Sequence, residues 1–137
     1  MENEQLTYNN LHWYEFDQNN SGGFFEMNDD VSIKVFIQSE NAAGANQKAE
    51  EVGIYFDGCE DGIDCDCCGD RWYRAGDPLD SFKTYFWRKE NTEYDNISDY
   101  VQAIANDSMW AKVGKPVVIV YFADGSIKRF YKEGENL

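Results

Sequence analysis

The amino-acid sequence predicts an α+β fold: an antiparallel, partly mixed sheet of about six strands, with one helix packed on a face and a cysteine-rich loop inserted between two strands. Three stretches carry this expectation. Residues 31–38 put Val31, Ile33, Val35 and Ile37 on one side and Ser32, Lys34 and Gln38 on the other, the period of a half-buried strand. Residues 98–109 place Val101, Ile104, Ala105 and Met109 at helical spacing. Residues 117–122 are apolar on both faces, as a covered central strand requires, and Asp124-Gly125 then turns the chain into a return strand over 127–131. The 137 residues are expected to form one acidic domain, 1–137, long enough to bury a core.

The remaining elements follow from local chemistry. Residues 1–10 are polar and are expected to fray. Leu11 to Phe16 reads as a first strand, and the polar, glycine-ending run 17–23 as a turn. Phe24 to Met27 then supplies a short partner strand for a hairpin. Residues 39–50, rich in Ala, Asn and Gly, read as a loop with at most one helical turn. Glu51 to Asp57 reads as a strand that points Val52, Ile54 and Phe56 at the core and leads directly into the cysteine loop, 58–71. Phe82 to Arg88 returns to strand alternation. For the helix, Ser98 is the expected cap, Asp99 suits the positive N-terminal end, and Gly114 followed by Pro116 marks the stop.

Composition narrows the partners. Twenty-six acids oppose twelve bases, a net charge of −14, which opposes direct contact with a nucleic-acid backbone or an anionic membrane surface. Such a charge serves solubility, attracts a basic protein, or imitates the charge of DNA. The bases Lys112, Lys115, Lys128, Arg129 and Lys132 gather late while acids crowd the middle, and an internal electrostatic match between the two is expected. The start of the chain lacks a basic and apolar leader, and no apolar run reaches the length of a membrane span. The expected location is therefore the cytosol, where thiols stay reduced, and clustered cysteines point to metal or redox chemistry before structural disulfides.

All four cysteines lie between Cys59 and Cys68, among Glu60, Asp61, Asp64, Asp66 and Asp70. Cys65-Asp66-Cys67-Cys68-Gly69 contains the Cys-x-x-Cys-Gly form of a zinc knuckle: two thiolates grip one ion, and glycine lets the chain turn behind them. Structural zinc takes four ligands, and no second such pair exists. The candidate set for one structural zinc is Cys59, Cys65, Cys68 and His12, with Cys67 as an alternative ligand. Three other readings stay open. A thiol–disulfide couple is disfavoured by acids that raise thiol pKa. A calcium loop departs from EF-hand spacing. A compact turn would hold inert, reduced thiols. Beyond the cysteines, Arg71, Trp72 and Arg74 either anchor the loop or bind an anionic or aromatic ligand or partner.

The element Asp64 to Trp72, D-C-D-C-C-G-D-R-W, resembles the D-C-P-C-C-G-D-R-W signature of a family of small uncharacterised tailed-bacteriophage proteins, with Asp66 in place of proline. The resemblance implies a context and no catalytic residue: a phage protein made in the cytoplasm of the infected bacterial host. Catalysis is not expected, because the single histidine, His12, has no evident nucleophile beside it and no phosphate-binding glycine loop occurs. The leading expectation is a non-enzymatic phage accessory protein that binds and blocks a host factor in a defence or takeover role, with a basic surface on that host protein as a candidate contact. The alternatives are an oligomeric protein that sequesters a nucleotide-type ligand, and a minor virion or assembly component.

Overall fold

The computed structural model describes residues 2–84 and 91–133. Among the described residues, five strands form one mixed sheet in chain order: β1 (Thr7–Tyr8), β2 (Leu11–Asp17), β3 (Lys34–Ser39), β4 (Val118–Tyr121) and β5 (Ile127–Phe130). β3 and β4 run parallel, and the other neighbours are antiparallel. There are two helices among the described residues, where one was expected: α1 (Ala42–Val52) and α2 (Ile97–Asp107).

The helices cover opposite faces of the sheet, as the alternation of β3 and β4 dictates. Val35, Ile37, Ile119 and Tyr121 join Tyr14 and Phe16 of β2 in a core closed by Ala45 and Ala49 of α1. Phe36, Val118 and Val120 join Trp13 in a second core closed by Ile97, Val101 and Ala105 of α2. β3 is therefore covered on both sides and not half-buried, and it starts at Lys34. Its flanking polar residues are satisfied inside: Ser32 Oγ donates to the Pro116 carbonyl at 2.6 Å, and Gln38 Nε2 donates to that of Asn3 at 2.7 Å.

The second helix, α1, falls where a loop was expected. Asn41 caps it by accepting the Gly44 N–H at 2.8 Å, and Gly53 ends it in a left-handed conformation. Only Ala45 and Ala49 are buried, so the segment carries no bulky apolar stripe to announce a helix. The expected strand at 51–57 is instead the end of α1 and an irregular exit, although Ile54 and Phe56 do reach the core.

The expected helix at 98–109 is present with different ends. Asn96 caps α2 by accepting the Asp99 N–H, while Ser98 Oγ accepts from Lys128 Nζ at 3.0 Å. The helix stops at Asp107, well before Gly114, so Met109 lies beyond it and is 89% exposed. The hairpin from β4 to β5 turns at Asp124-Gly125 as expected, with Asp124 Oδ1 accepting the Ser126 N–H at 2.9 Å.

Two other expectations give way. The N-terminal segment is not frayed beyond residue 2: β1 pairs with β2, Trp13 Nε1 donates to the Gln5 carbonyl at 2.8 Å, and buried Glu4 meets Lys128 at 2.8 Å. Residues 24–27 form no strand; the Gln18 side chain ties down Glu26 by donating to its carbonyl and accepting its N–H. Of the expected strand at 82–88, Lys83 bridges Glu93, and Tyr85, Phe86, Trp87 and Arg88 lie outside the described residues. The cysteine loop is inserted, but between α1 and α2 and not between two strands.

Candidate functional site

The cysteine loop is built around a buried guanidinium. Arg71 is only 3% exposed. Its Nη1 donates to Gln18 Oε1 and the Phe24 carbonyl, each at 2.8 Å, and Nη2 donates to the Ser21 carbonyl at 2.7 Å. Nε donates to the Tyr55 hydroxyl at 3.1 Å, and the guanidinium lies 4.6 Å from the centre of the Phe24 ring. Buried Asp64 completes the knot: its carboxylate accepts from the Tyr55 hydroxyl at 2.7 Å and from the Arg71 N–H at 2.8 Å. Burial and the neighbouring Asp64 push the Tyr55 phenol up to about 12, so it stays protonated as a donor.

Four of the five N–H donors of the Arg71 guanidinium are thus spent inside the chain. Arg71 organises the loop, the anchoring role of the two that the sequence left open for it. Trp72 takes the anchoring role as well: it is 1% exposed, packed in the α1-side core. Arg74 is exposed, pairs with Asp57 at 2.8 Å, and lies 4.9 Å from the Phe56 ring centre.

The thiols sit above this knot. The sulfurs of Cys65, Cys67 and Cys68 lie within 4.8 Å of one another, a group that can hold a metal ion. Within it, Cys65 and Cys67 are at disulfide distance, and Cys67 Sγ is 3.5 Å from Cys68 Sγ. All three cysteines are exposed. Two residues distant in sequence hold their backbone. Asn19 Nδ2 donates to the carbonyls of Cys68 at 2.8 Å and Asp70 at 3.1 Å, and Ser21 Oγ accepts the Cys65 N–H at 3.3 Å. The Cys68 and Gly69 N–H groups both return to the Cys65 carbonyl, and Gly69 takes the left-handed conformation that lets the chain leave the turn.

The expected ligand set is only partly assembled. Cys65 and Cys68 are together, and Cys67 joins them. His12 is at the far end of β2 from this loop, paired with Thr7 and Ser39, because β2 approaches the cysteines with its Asp17 end. Cys59 is close but engaged differently: its thiol donates to the Cys65 carbonyl at 3.4 Å and its N–H to Asp70 Oδ1 at 2.9 Å. Desolvation and the Asp70 carboxylate push the Cys59 thiol up to about 11, so it stays neutral in the metal-free loop.

An apolar patch adjoins the loop. The Phe25 and Trp110 rings are 5.6 Å apart, which draws residues 24–25 against the segment after α2. Around them Phe24, Met109, Trp110 and Val113 are exposed, with Trp110 at 57%. Phe24 links patch and loop through its contact with Arg71. Glu60, Asp61 and Asp66 of the cysteine loop are exposed as well. Sequence reasoning passed over Asn19, Ser21, Phe25 and Trp110; the one available signal was an unburied Met-Trp pair just past a helix end.

A groove of about 500 Å³ opens elsewhere, at the carboxyl ends of parallel β3 and β4, with Ser39, Gly44, Lys48 and Tyr121 among its lining. Among the described residues, no helix is long and apolar enough to cross a membrane.

No curated protein and no solved structure matches the chain. A family model described as a domain of unknown function, DUF7296, matches residues 11–137, which include β2 to β5, both helices and the whole cysteine loop; the chain belongs to that family.

Proposed function

We propose that the protein is a non-enzymatic binding protein that covers a surface of a host factor, as an accessory protein of a tailed phage in the cytoplasm of the infected bacterium. The observation that carries this reading is the set of exposed apolar side chains just after α2, Met109, Trp110 and Val113, which the Phe25–Trp110 ring contact joins to the segment of exposed Phe24. Exposed aromatic and methionine side chains grouped in this way suit a protein interface. The acidic surplus of the chain suits a basic partner, since complementary charge speeds encounter and fixes register. A net charge of −14 disfavours nucleic acid and anionic membranes as the partner.

The test is capture of a partner from host extract by the folded chain, followed by cross-linking to locate the contact. Cross-links at Lys112 or Lys115, and capture abolished by Trp110→Ser with unchanged thermal stability, support the reading. Capture that survives Trp110→Ser and Met109→Ser overturns it.

Zinc is the metal we assign to the cysteine loop, because thiolates in a tight knuckle are a soft donor set that suits this ion. There it would act as a clip that stiffens the loop.

The groove at the carboxyl ends of β3 and β4 favours a second reading, sequestration of a nucleotide-type ligand by an oligomer of this chain. Its volume suits a small molecule, and Lys48 offers a cation to a phosphate. Native mass spectrometry that finds no retained mass of a few hundred daltons, together with a monomeric chain, sinks this second reading.

A further inference from the structure

We infer that Cys65, Cys67 and Cys68 form a three-thiolate zinc site, with the fourth coordination position open to solvent, and that the Cys65–Cys67 disulfide is the metal-free state of the same site. This assignment rests on zinc being the metal of the loop.

The geometry supports both states without movement of the backbone. Three sulfurs lie within 4.8 Å of one another, and zinc–sulfur bonds of about 2.3 Å bring tetrahedral ligand pairs to about 3.8 Å, so small side-chain rotations complete the set. Cys67 Sγ already stands 3.5 Å from Cys68 Sγ. The Cα atoms of Cys65 and Cys67 are 5.4 Å apart, within the range a disulfide spans. The carbonyls of Cys65 and Cys68, the Cys65 N–H and the Gly69 N–H are all tethered by bonds that involve none of the three clustered thiols. Among the described residues no protein donor completes the tetrahedron: His12 is at the other end of β2, and the Cys59 thiol points to a carbonyl. Three protein ligands and one open position make a zinc ion that exchanges, in contrast to a closed structural site.

The two states interconvert by thiol–disulfide exchange with a small disulfide such as oxidised glutathione. The Cys65 thiolate attacks one sulfur of the small disulfide, forming a mixed disulfide and releasing one small thiolate. The Cys67 thiolate then attacks the Cys65 sulfur, forming the Cys65–Cys67 bond and releasing the second. Two electrons pass from the two cysteines to the small disulfide. Zinc loses two of its three ligands, and Cys68 alone does not retain it.

Native mass spectrometry of the full chain with zinc added tests this, after reduction with a phosphine and after treatment with oxidised glutathione. One zinc per reduced chain and none per oxidised chain is expected, with Cys59→Ser and His12→Ala both keeping one zinc. Cys67→Ser, confirmed as folded by its far-UV spectrum, should lose zinc and the disulfide together. A reduced wild-type chain that binds no zinc overturns the zinc assignment and the exchange alike. Zinc kept by the disulfide form overturns the exchange alone. Loss of zinc in Cys59→Ser or His12→Ala moves the ligand set and overturns the three-thiolate site.

Discussion

Arg71 shows how one side chain can hold a loop together. Its guanidinium satisfies two carbonyls, an amide oxygen and a phenol from four different residues, and its backbone N–H reaches Asp64. Lysine has no planar fork and cannot reach these acceptors together. Arg71→Met would leave several buried acceptors without a donor, at about 1–3 kcal/mol each. The expected outcome is a loss of about 3 kcal/mol or more in urea unfolding, with Arg71→Lys recovering only part of it. Gly58 sets a second limit on the same knot. A Cβ there would lie 1.9 Å from Asp64 Oδ2 and 2.6 Å from its Cγ, and Asp64 cannot yield while Tyr55 and Arg71 grip it. Gly58→Ala should cost about 1–3 kcal/mol, read by thermal melting, whereas Gly62→Ala, with no atom near its Cβ, tests the cost of the left-handed backbone alone.

At the scale of the elements, α1 closes on the sheet because it presents alanine there. Ala45 and Ala49 have no exposed surface and pack among Ile37, Ile119 and Tyr121. Ala49→Leu would force that helix outward and should lower stability by about 1–3 kcal/mol in chemical denaturation, while Ala43→Leu, at a partly exposed position, should change it little. The same alanines explain which elements were legible in the sequence. β4, the Asp124-Gly125 turn and α2 announce themselves through long periodic or apolar runs. α1 does not, since its buried face is two methyl groups, and the segment after it imitates a strand because Ile54 and Phe56 reach the core from irregular backbone. The N-terminal segment reads as frayed because its anchors, the Gln5 carbonyl and Glu4, are polar groups whose partners Trp13 and Lys128 are tertiary. The cysteine cluster was legible from spacing, but the tethers at Asn19 and Ser21 were not, because they join residues more than forty positions apart.

Across the whole molecule, the late bases reach the N-terminal segment and backbone carbonyls, and among the described residues no ion pair joins them to the acids of the cysteine loop. Lys128 reaches from β5 to Glu4, Arg129 donates to the Asp29 carbonyl, and Lys34 on β3 sits between Glu15 and Asp17 on β2. One ammonium between two carboxylates leaves a surplus negative charge; Glu15 and Lys34 are largely covered, in a hollow that Asp80 and Lys83 also line, while Asp17 stays 62% exposed. Burial, with the added contact to Asp17, outweighs the pull of Lys34 and raises the Glu15 carboxyl from 4.5 to about 7. Asp17 moves the other way, held below its usual 3.8: burial opposes this, but its bonds to Glu15 and Lys34 prevail. The signs separate two windows. Between 4.5 and about 7 the folded chain keeps a proton on Glu15 that the unfolded chain releases, so this group's stabilisation is complete below 4.5 and is lost as pH rises through 7. The Asp17 contribution is present above 3.8 and is lost only as pH falls through its lower folded value. Thermal melting between about pH 5 and about pH 7.5 should show a Glu15-dependent decline on the order of 1 kcal/mol, a few degrees in Tm, that Glu15→Gln flattens. A decline unchanged in Glu15→Gln would assign the titration to another group and show Glu15 ionised throughout that window.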